Sequence, residues 1–219
     1  MGGVLCPVVC GRDDELRVLR DAFARAADGR GGGVVFVTGE PGIGKSRLVR
    51  ELTRHARRLG AVTATGRAVP AGSGTPYRPL TEALLQLLRD RPLTTDADLD
   101  PWLPALRAIL PAIGQPDHAA ASDHLTAAGL ASPVARGEAV IRLLRWFSAG
   151  PDAGLIIVLE DLHWADPDTL TLLEYLADNL GGERVLCVAT SRDQPDTAAS
   201  LARRHRQHDR VRLEDLAGY

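Results

Sequence analysis

The segment Gly39-Glu-Pro-Gly-Ile-Gly44-Lys45-Ser46 combines residue types that can bind a phosphate group. It fits the spacing G-x-x-x-x-G-K-[ST], in which glycines let the backbone turn so tightly that its N–H groups point at phosphate oxygens. Lys45 would reach the β- and γ-phosphates of a nucleotide, and the hydroxyl of Ser46 would bind Mg²⁺. Lys45 is also the only lysine among 219 residues that are otherwise rich in arginine, and a guanidinium cannot replace a small ammonium in such a loop.

The residues on both sides of this segment have the pattern that a phosphate-binding loop requires. Residues 34–37 are an apolar run typical of a buried strand. After Ser46, apolar residues recur at helical spacing until Gly60, which offers a helix stop. They are Leu48, Val49, Leu52, Ala56 and Leu59. The sequence therefore predicts a strand, a phosphate loop and a helix whose positive N-terminus faces the anion.

A second group of polar residues follows two further apolar runs. Glu160 and Asp161 follow residues 155–159, a run typical of a central parallel strand, and Thr190, Ser191 and Arg192 follow the strand predicted over 184–189. Because open α/β sheets bind ligands at the carboxyl ends of their strands, these side chains are expected near the phosphate loop. One carboxylate would hold Mg²⁺ and the other would orient an attacking water. Polar residues at strand ends are also common in ordinary turns, so that alternative stays open for Thr190 to Arg192.

The remaining elements are predicted from periodicity and from turn residues. Nine of the fourteen prolines lie between positions 70 and 133, which indicates an inserted, mainly helical region over 69–133. Asp166 and Pro167 have the residue types of a helix N-cap and first turn. Helices are predicted from about residue 13 and over 79–89, 101–110, 134–147 and 196–207, and short strands over 61–68 and 211–213.

Composition restricts the classes of function. Acidic residues exceed basic ones by only two, so net charge favours neither DNA nor an anionic membrane, and either role would need a local patch. The cluster 203–206 is more typical of a solvated helix face than of a DNA contact.

Three cysteines without a C-x-x-C pair predict neither a disulfide framework nor a zinc site, and we expect Cys187 to be buried. His118 and His124 are expected to be solvated, not metal ligands. No targeting signal is recognisable at the start of the chain, so a cytoplasmic location is expected.

Five ordered motifs together resemble the AAA-type ATPase domain of STAND regulators, and in particular the N-terminal segment of large LuxR-type transcriptional regulators. They are Val9-Cys-Gly11-Arg12-Asp-Asp-Glu15, the loop 39–46, Thr75-Pro-Tyr-Arg-Pro-Leu80, Leu159-Glu-Asp-Leu-His-Trp-Ala-Asp166 and Ala189-Thr-Ser-Arg192. The resemblance implies a three-layer α/β P-loop NTPase fold with a five-stranded parallel sheet in the order 5-1-4-3-2. It also implies binding of ATP or ADP with Mg²⁺.

The resemblance assigns roles residue by residue. Glu160 would bind the metal together with Ser46, although the family commonly has Asp at the position of Glu160. Asp161 would orient the water, and Thr190 and Arg192 would sense the γ-phosphate. The nucleotide would be held by Gly11, Arg12, Gly39, Glu40, Pro41, Gly42, Ile43, Gly44, Lys45, Ser46 and Arg47.

The predicted function is a slow, Mg²⁺-dependent ATPase that acts as a switch in a bacterial signalling or transcriptional regulator. The alternatives are a DNA-handling motor of the AAA class and a small-molecule phosphotransferase. We expect residues 1–219 to be one ATPase domain without lid, sensor or DNA-binding domain, and thus a fragment. The expected partners are the nucleotide and downstream domains, with nucleotide-dependent self-association possible and neither membrane nor direct DNA contact.

Overall fold

The computed structural model describes residues 11–70, 76–94, 96–111, 113, 132–150, 154–192 and 210–213. The predicted helix over 196–207, the cluster 203–206, His118 and His124 lie outside these residues. Cys6 and Cys10 do as well.

A parallel sheet forms the centre of the fold. Four strands have six or seven residues: β1 (Gly33–Thr38), β2 (Val62–Arg67), β3 (Leu155–Glu160) and β4 (Val185–Ser191). A three-residue strand, β5 (Arg210–Arg212), pairs with β1, so that the order is β2-β3-β4-β1-β5 and every pair is parallel. The prediction of an α/β fold with a parallel sheet is confirmed. Four of the strands are of full length, whereas the fifth is a short edge strand of three residues, and the strand order is the predicted 5-1-4-3-2.

The central strands are covered on both faces, as their unbroken apolar sequences require. Every residue of β1, β3 and β4 is buried. In β1, Val34 and Phe36 pack into the core on one face of the sheet, whereas Val35 and Val37 pack into the core on the other. Cys187 of β4 is buried as predicted, and this burial raises the pKa of its thiol to about 12.

Helices cover the two faces of the sheet. The helices are α1 (Asp13–Ala27), α2 (Lys45–Arg58), α3 (Arg78–Asp90), α4 (Leu103–Arg107), α5 (Pro133–Ser148) and α6 (Pro167–Asn179). One core contains buried residues of α1 and α2, and the other contains buried residues of α3, α4, α5 and α6. The described part of the predicted insertion is helical, and it shares a core with the sheet.

Two helix predictions need adjustment. The helix predicted over 101–110 is a 3-10 turn (Asp100–Trp102) followed by the five-residue α4, because two prolines in this stretch lack the N–H that a regular helix needs. Leu59 was expected on the apolar face of α2. It lies after the helix and is 56% exposed, and Gly60 follows with a φ of +89°.

The edge strand β2 is protected by side chains of α3. Its outward backbone N–H groups at Thr65 and Arg67 donate to Gln86 Oε1 (2.9 Å) and Glu82 Oε2 (3.1 Å). An uncovered edge would expose such groups to pairing with another chain. Among the residues that the structure describes, no helix combines the length and apolar character of a membrane span.

Candidate functional site

The phosphate loop joins β1 to α2 as the sequence predicted. Gly42 (φ +81°) and Gly44 (φ +106°) have left-handed backbones that side chains with a Cβ rarely adopt, so glycine is needed at both positions. Gly44 is the N-cap of α2 and offers no capping side chain. The first N–H groups of a helix without a side-chain cap are available to an anion.

Lys45 lies at the first position of α2 and is buried. Its Nζ donates to the carbonyl oxygens of Gly39 and Glu40, each at 2.8 Å. Burial lowers the pKa of Lys45 below its usual range, and Arg192 lowers it further, while Asp161 and Glu40 raise it. A phosphate group beside the ammonium would compensate this desolvation, because an opposite charge favours the charged form.

The two acids at the end of β3 have different surroundings. Glu160 is buried, and its Oε2 accepts from Nη2 (2.6 Å) and Nε (3.1 Å) of Arg67 at the end of β2. Asp161 lies 3.5 Å from Arg67 and borders the cleft described below, which Glu160 does not. The resemblance assigned Glu160 to the metal and Asp161 to the attacking water. In the structure, Arg67 already pairs with Glu160, the proposed metal ligand.

Thr190 and Arg192 contribute in different ways. The buried Thr190 accepts a hydrogen bond at Oγ1 from the backbone N–H of Asp161 (3.0 Å), and so supports that residue in a left-handed conformation (φ +59°). Arg192 reaches the cleft, where its guanidinium lies 5.5 Å from the ring of Trp164. Ser191 between them is buried.

The phosphate loop, the start of α2 and residues that follow β3 and β4 border a cleft of about 610 Å³ at the carboxyl ends of the strands. Asp161, Arg192 and most of the predicted nucleotide-binding residues line it. Gly11, Glu160 and Thr190 do not line the cleft. Gly39 and Glu40 do not line it either, but their carbonyl oxygens accept hydrogen bonds from Lys45. The predicted residues in the lining are Arg12, Pro41, Gly42, Ile43, Gly44, Lys45, Ser46, Arg47, Asp161 and Arg192.

The cleft also contains three side chains to which the sequence analysis gave no role. Arg50 lies one helical turn beyond Ser46, and His163 and Trp164 follow Asp161 in a 3-10 turn. Trp164 is 42% exposed, which is unusual for so large an apolar side chain. Their positions within four residues of Ser46 and three of Asp161 were the available signal, since residues that close in sequence stay near the same sheet edge.

The side chains of the cleft suit a nucleotide with Mg²⁺. The described residues of its lining include five basic side chains and one acidic side chain, Asp161. The basic ones are Arg12, Lys45, Arg47, Arg50 and Arg192. Such a balance attracts a polyphosphate. The hydroxyl of Ser46 and the nearby carboxylates are the oxygen donors that Mg²⁺ prefers.

Residues 8–188 match the family described as the AAA ATPase domain. An uncharacterised protein of Rhizobium meliloti (strain 1021) is 31% identical over 202 residues, which cover 88% of this chain and 19% of that protein. The chain thus spans about a fifth of that relative.

A solved structure with low sequence identity shares the fold. Cdc6p from Pyrobaculum aerophilum superposes with a TM-score of 0.54 and 16% identity, over 97% of this chain and 48% of that one. The Hsp104–ADP complex of S. cerevisiae gives a TM-score of 0.42 and 14% identity, over 96% and 34% of the respective chains. The family match covers the phosphate loop, both acids at the end of β3 and most of β4, and the chain therefore belongs to the AAA ATPase domain family.

Proposed function

We propose that the chain binds ATP or ADP with Mg²⁺ in the cleft, hydrolyses ATP slowly, and serves as the nucleotide switch of a bacterial signalling or transcriptional regulator. The observation that carries the proposal is the cleft itself. It combines a glycine loop, an uncapped helix N-terminus and five basic side chains.

Lys45 would hold the β- and γ-phosphates. In the structure its ammonium is buried, is positioned by two carbonyl oxygens of the loop and has a lowered pKa. A bound polyphosphate would favour the charged form of Lys45, and the backbone N–H groups of the loop would share the phosphate charge. Mg²⁺, when bound, would neutralise charge that develops on the phosphate oxygens.

Asp161 would orient the attacking water. It lines the cleft, and the bond from its backbone N–H to Thr190 Oγ1 fixes its position relative to β4. Thr190 would act as a positioning residue, and Arg192, which lines the cleft, would contact the γ-phosphate. Glu160 would join Ser46 at the metal only after its carboxylate leaves Arg67.

A series of contacts supports the switch role, because it connects the strand-end acids with the helices of the 69–133 region. The backbone N–H of Trp164 donates to the carbonyl of Asp161, and Asp166 then caps α6 by accepting from Thr169 N (2.9 Å). Asp166 also accepts from the backbone N–H of Tyr77 at the start of α3 (3.2 Å). A shift of the acids on hydrolysis would move the start of α6 and the start of α3. Nucleotide switches commonly act through such movements.

The first test is nucleotide binding by Lys45→Ala. Loss of a charge-assisted contact costs about 1.5–3 kcal/mol, so Mg-ATP affinity should fall by about tenfold to more than a hundredfold. Isothermal titration calorimetry measures the affinity, and tryptophan fluorescence, to which Trp164 in the cleft contributes, gives a second readout. Arg89→Ala removes an exposed charge from α3, on the opposite face of the sheet, and is the matched control. Equal affinity of the two variants would refute the phosphate-loop proposal.

A DNA-handling motor of the same family is a second candidate. The observation in its favour is a row of exposed arginines on α2, which is described in the next subsection. Rate and DNA dependence of ATP turnover distinguish a motor from a switch, since a motor must turn over rapidly while it is bound to DNA.

A further inference from the structure

The outer face of α2 forms an arginine groove that lies beside the cleft and shares Arg50 with it. Arg50, Thr53, Arg54, Arg57 and Arg58 line this groove, which has a volume of about 440 Å³. All four arginines are exposed, whereas Thr53 is buried. They repeat at intervals of four, three and one residues, which places them along one side of the helix.

The positive charge of the groove is weakly compensated within α2. Glu51 is the only acid of the helix, and it pairs with Arg54 at 2.7 Å. Arg50 and Arg57 each donate through Nε, to Ser46 O (3.1 Å) and Thr63 Oγ1 (2.6 Å). These uncharged acceptors orient the guanidinium groups without neutralising them.

The neighbourhood of His55 is consistent with a positive field. The pKa of His55 is lowered first by burial and then by the positive charges of Arg20 and Arg58. Arg20 belongs to α1, which packs beside α2. Arg20 thus lies near enough to α2 to add to the positive charge around His55, which Glu51 partly offsets.

The charge is segregated within the chain. Helix α2 carries six basic side chains and one acidic one, although acids exceed bases by two in the whole chain. The remaining residues thus carry seven more acids than bases. Stabilisation of the helix dipole accounts for basic residues in the last turn, such as Arg57 and Arg58, but not for Arg50 and Arg54 in the middle of the helix.

We propose that the arginine groove binds the phosphate backbone of duplex DNA. From Arg50 to Arg58 the helix rises about 12 Å, a length over which each strand of a duplex carries several phosphates, at about one per 3.4 Å of the duplex axis. Guanidinium groups suit phosphate oxygens, which they bind with two parallel N–H donors. The groove therefore presents several phosphate-binding groups at a spacing that a duplex can match.

The lining of the groove also argues against other anionic partners. Within the described part of the chain, that lining contains no aromatic ring, and single-stranded nucleic acids are generally held by stacking of bases on such rings. The same described residues include no apolar anchor of the kind on which protein interfaces depend. A sequence-independent backbone contact fits this composition better than an acidic peptide does.

The test measures binding of the 219-residue chain to a fluorescein-labelled 20-base-pair duplex without nucleotide, by fluorescence anisotropy at 50 and 200 mM salt. Four phosphate contacts predict a loss of affinity on the order of 10²-fold over this range. Arg54→Gln/Arg58→Gln should bind more weakly and should lose only about tenfold, because two contacts remain. Neither residue lines the nucleotide cleft, so Mg-ATP affinity should be unchanged.

The matched control is Arg78→Gln/Arg89→Gln. It removes the same charge from exposed positions on α3, on the opposite face of the sheet, and should bind DNA like the unaltered chain. Equal thermal unfolding midpoints would exclude misfolding of either variant. Because nucleotide is omitted, failure of the nucleotide proposal would leave this result intact.

Four outcomes would overturn the proposal. The first is an equal salt dependence for both double variants, and the second is tighter binding of single-stranded DNA of the same length. The third is displacement of the duplex by poly-glutamate as effectively as by unlabelled duplex of equal charge, which would identify an acidic protein as the partner. Absence of any binding at 50 mM salt would equally refute it.

Discussion

The two carboxylates at the end of β3 are adjacent in sequence but differ in their contacts. Arg67 engages Glu160 through two hydrogen bonds and lies farther from Asp161, and only Asp161 lines the cleft. A catalytic carboxylate must face the reacting groups. The geometry thus supports Asp161 as the water-orienting acid and makes the metal role of Glu160 depend on Arg67.

Asp161→Asn should slow ATP hydrolysis by about 10²- to 10⁴-fold while leaving ATP affinity nearly unchanged, because an amide keeps the shape but is a poor base. Glu160→Gln should instead raise the Mg²⁺ concentration needed for half-maximal hydrolysis. Steady-state phosphate release at varied Mg²⁺ measures both effects, with Asp90→Asn at the exposed end of α3 as the control. If the two phenotypes are exchanged, the roles of the acids are exchanged as well.

The residues of the site could be predicted from sequence to a useful extent, but their partners could not. The spacing from Gly39 to Ser46 and the acids after an apolar run are local signals. Arg67 and Glu160 are 93 positions apart and meet only because β2 and β3 pair in a register that places them side by side. Local periodicity contains no information about that register.

At the scale of elements, α3 approaches the edge strand β2 so closely that position 66 has room only for glycine. A Cβ at Gly66 would lie 1.7 Å from the carbonyl oxygen of Pro79 in α3. Backbone, not a flexible side chain, would have to move. The same approach brings Gln86 and Glu82 to the free N–H groups of β2.

Gly66→Ala should therefore destabilise the fold by about 1–3 kcal/mol or more, as overpacking does. Urea unfolding followed by circular dichroism measures the change in the free energy of unfolding. Gly182→Ala is the matched control, because no atom of the described residues lies within 4 Å of the position that its new methyl group would occupy, and its φ is not in the left-handed range. A loss of stability as small for Gly66→Ala as for the control would show that α3 can move away from β2.

The sequence predicted most elements because their signals are local. The apolar runs gave β1 and β3 to within one residue at each end, and Asp166 caps α6 as its residue type indicated. The short 3-10 turn and α4 were harder to predict from the sequence, because prolines limit the length of a helix without determining where it begins and ends. Likewise, the packing of α3 against Gly66 requires knowledge of tertiary contacts.

At the scale of the whole molecule, segregation of charge is the feature that composition conceals. The net charge of −2 predicted no DNA contact, yet one helix carries six basic side chains. Helical spacing in α2 contained this information, but the exposure of Arg50, Arg54, Arg57 and Arg58 became clear only once the apolar residues of α2 were seen in the core. Composition averages over surfaces that bind different partners.

The chain alone should hydrolyse ATP only at a slow basal rate. The strand ends supply the loop, the acids and Arg192, but the cleft is lined in part by exposed residues such as Pro41, Arg50 and Trp164, which exclude water poorly. An arginine supplied by a neighbouring domain or subunit accelerates P-loop enzymes by about 10³- to 10⁵-fold. Steady-state phosphate release, with and without duplex DNA, tests this expectation, with Asp161→Asn as the background control. Turnover of several per second, or strong stimulation by DNA, would contradict the switch and would mean that the arginine groove and the cleft work together as a motor.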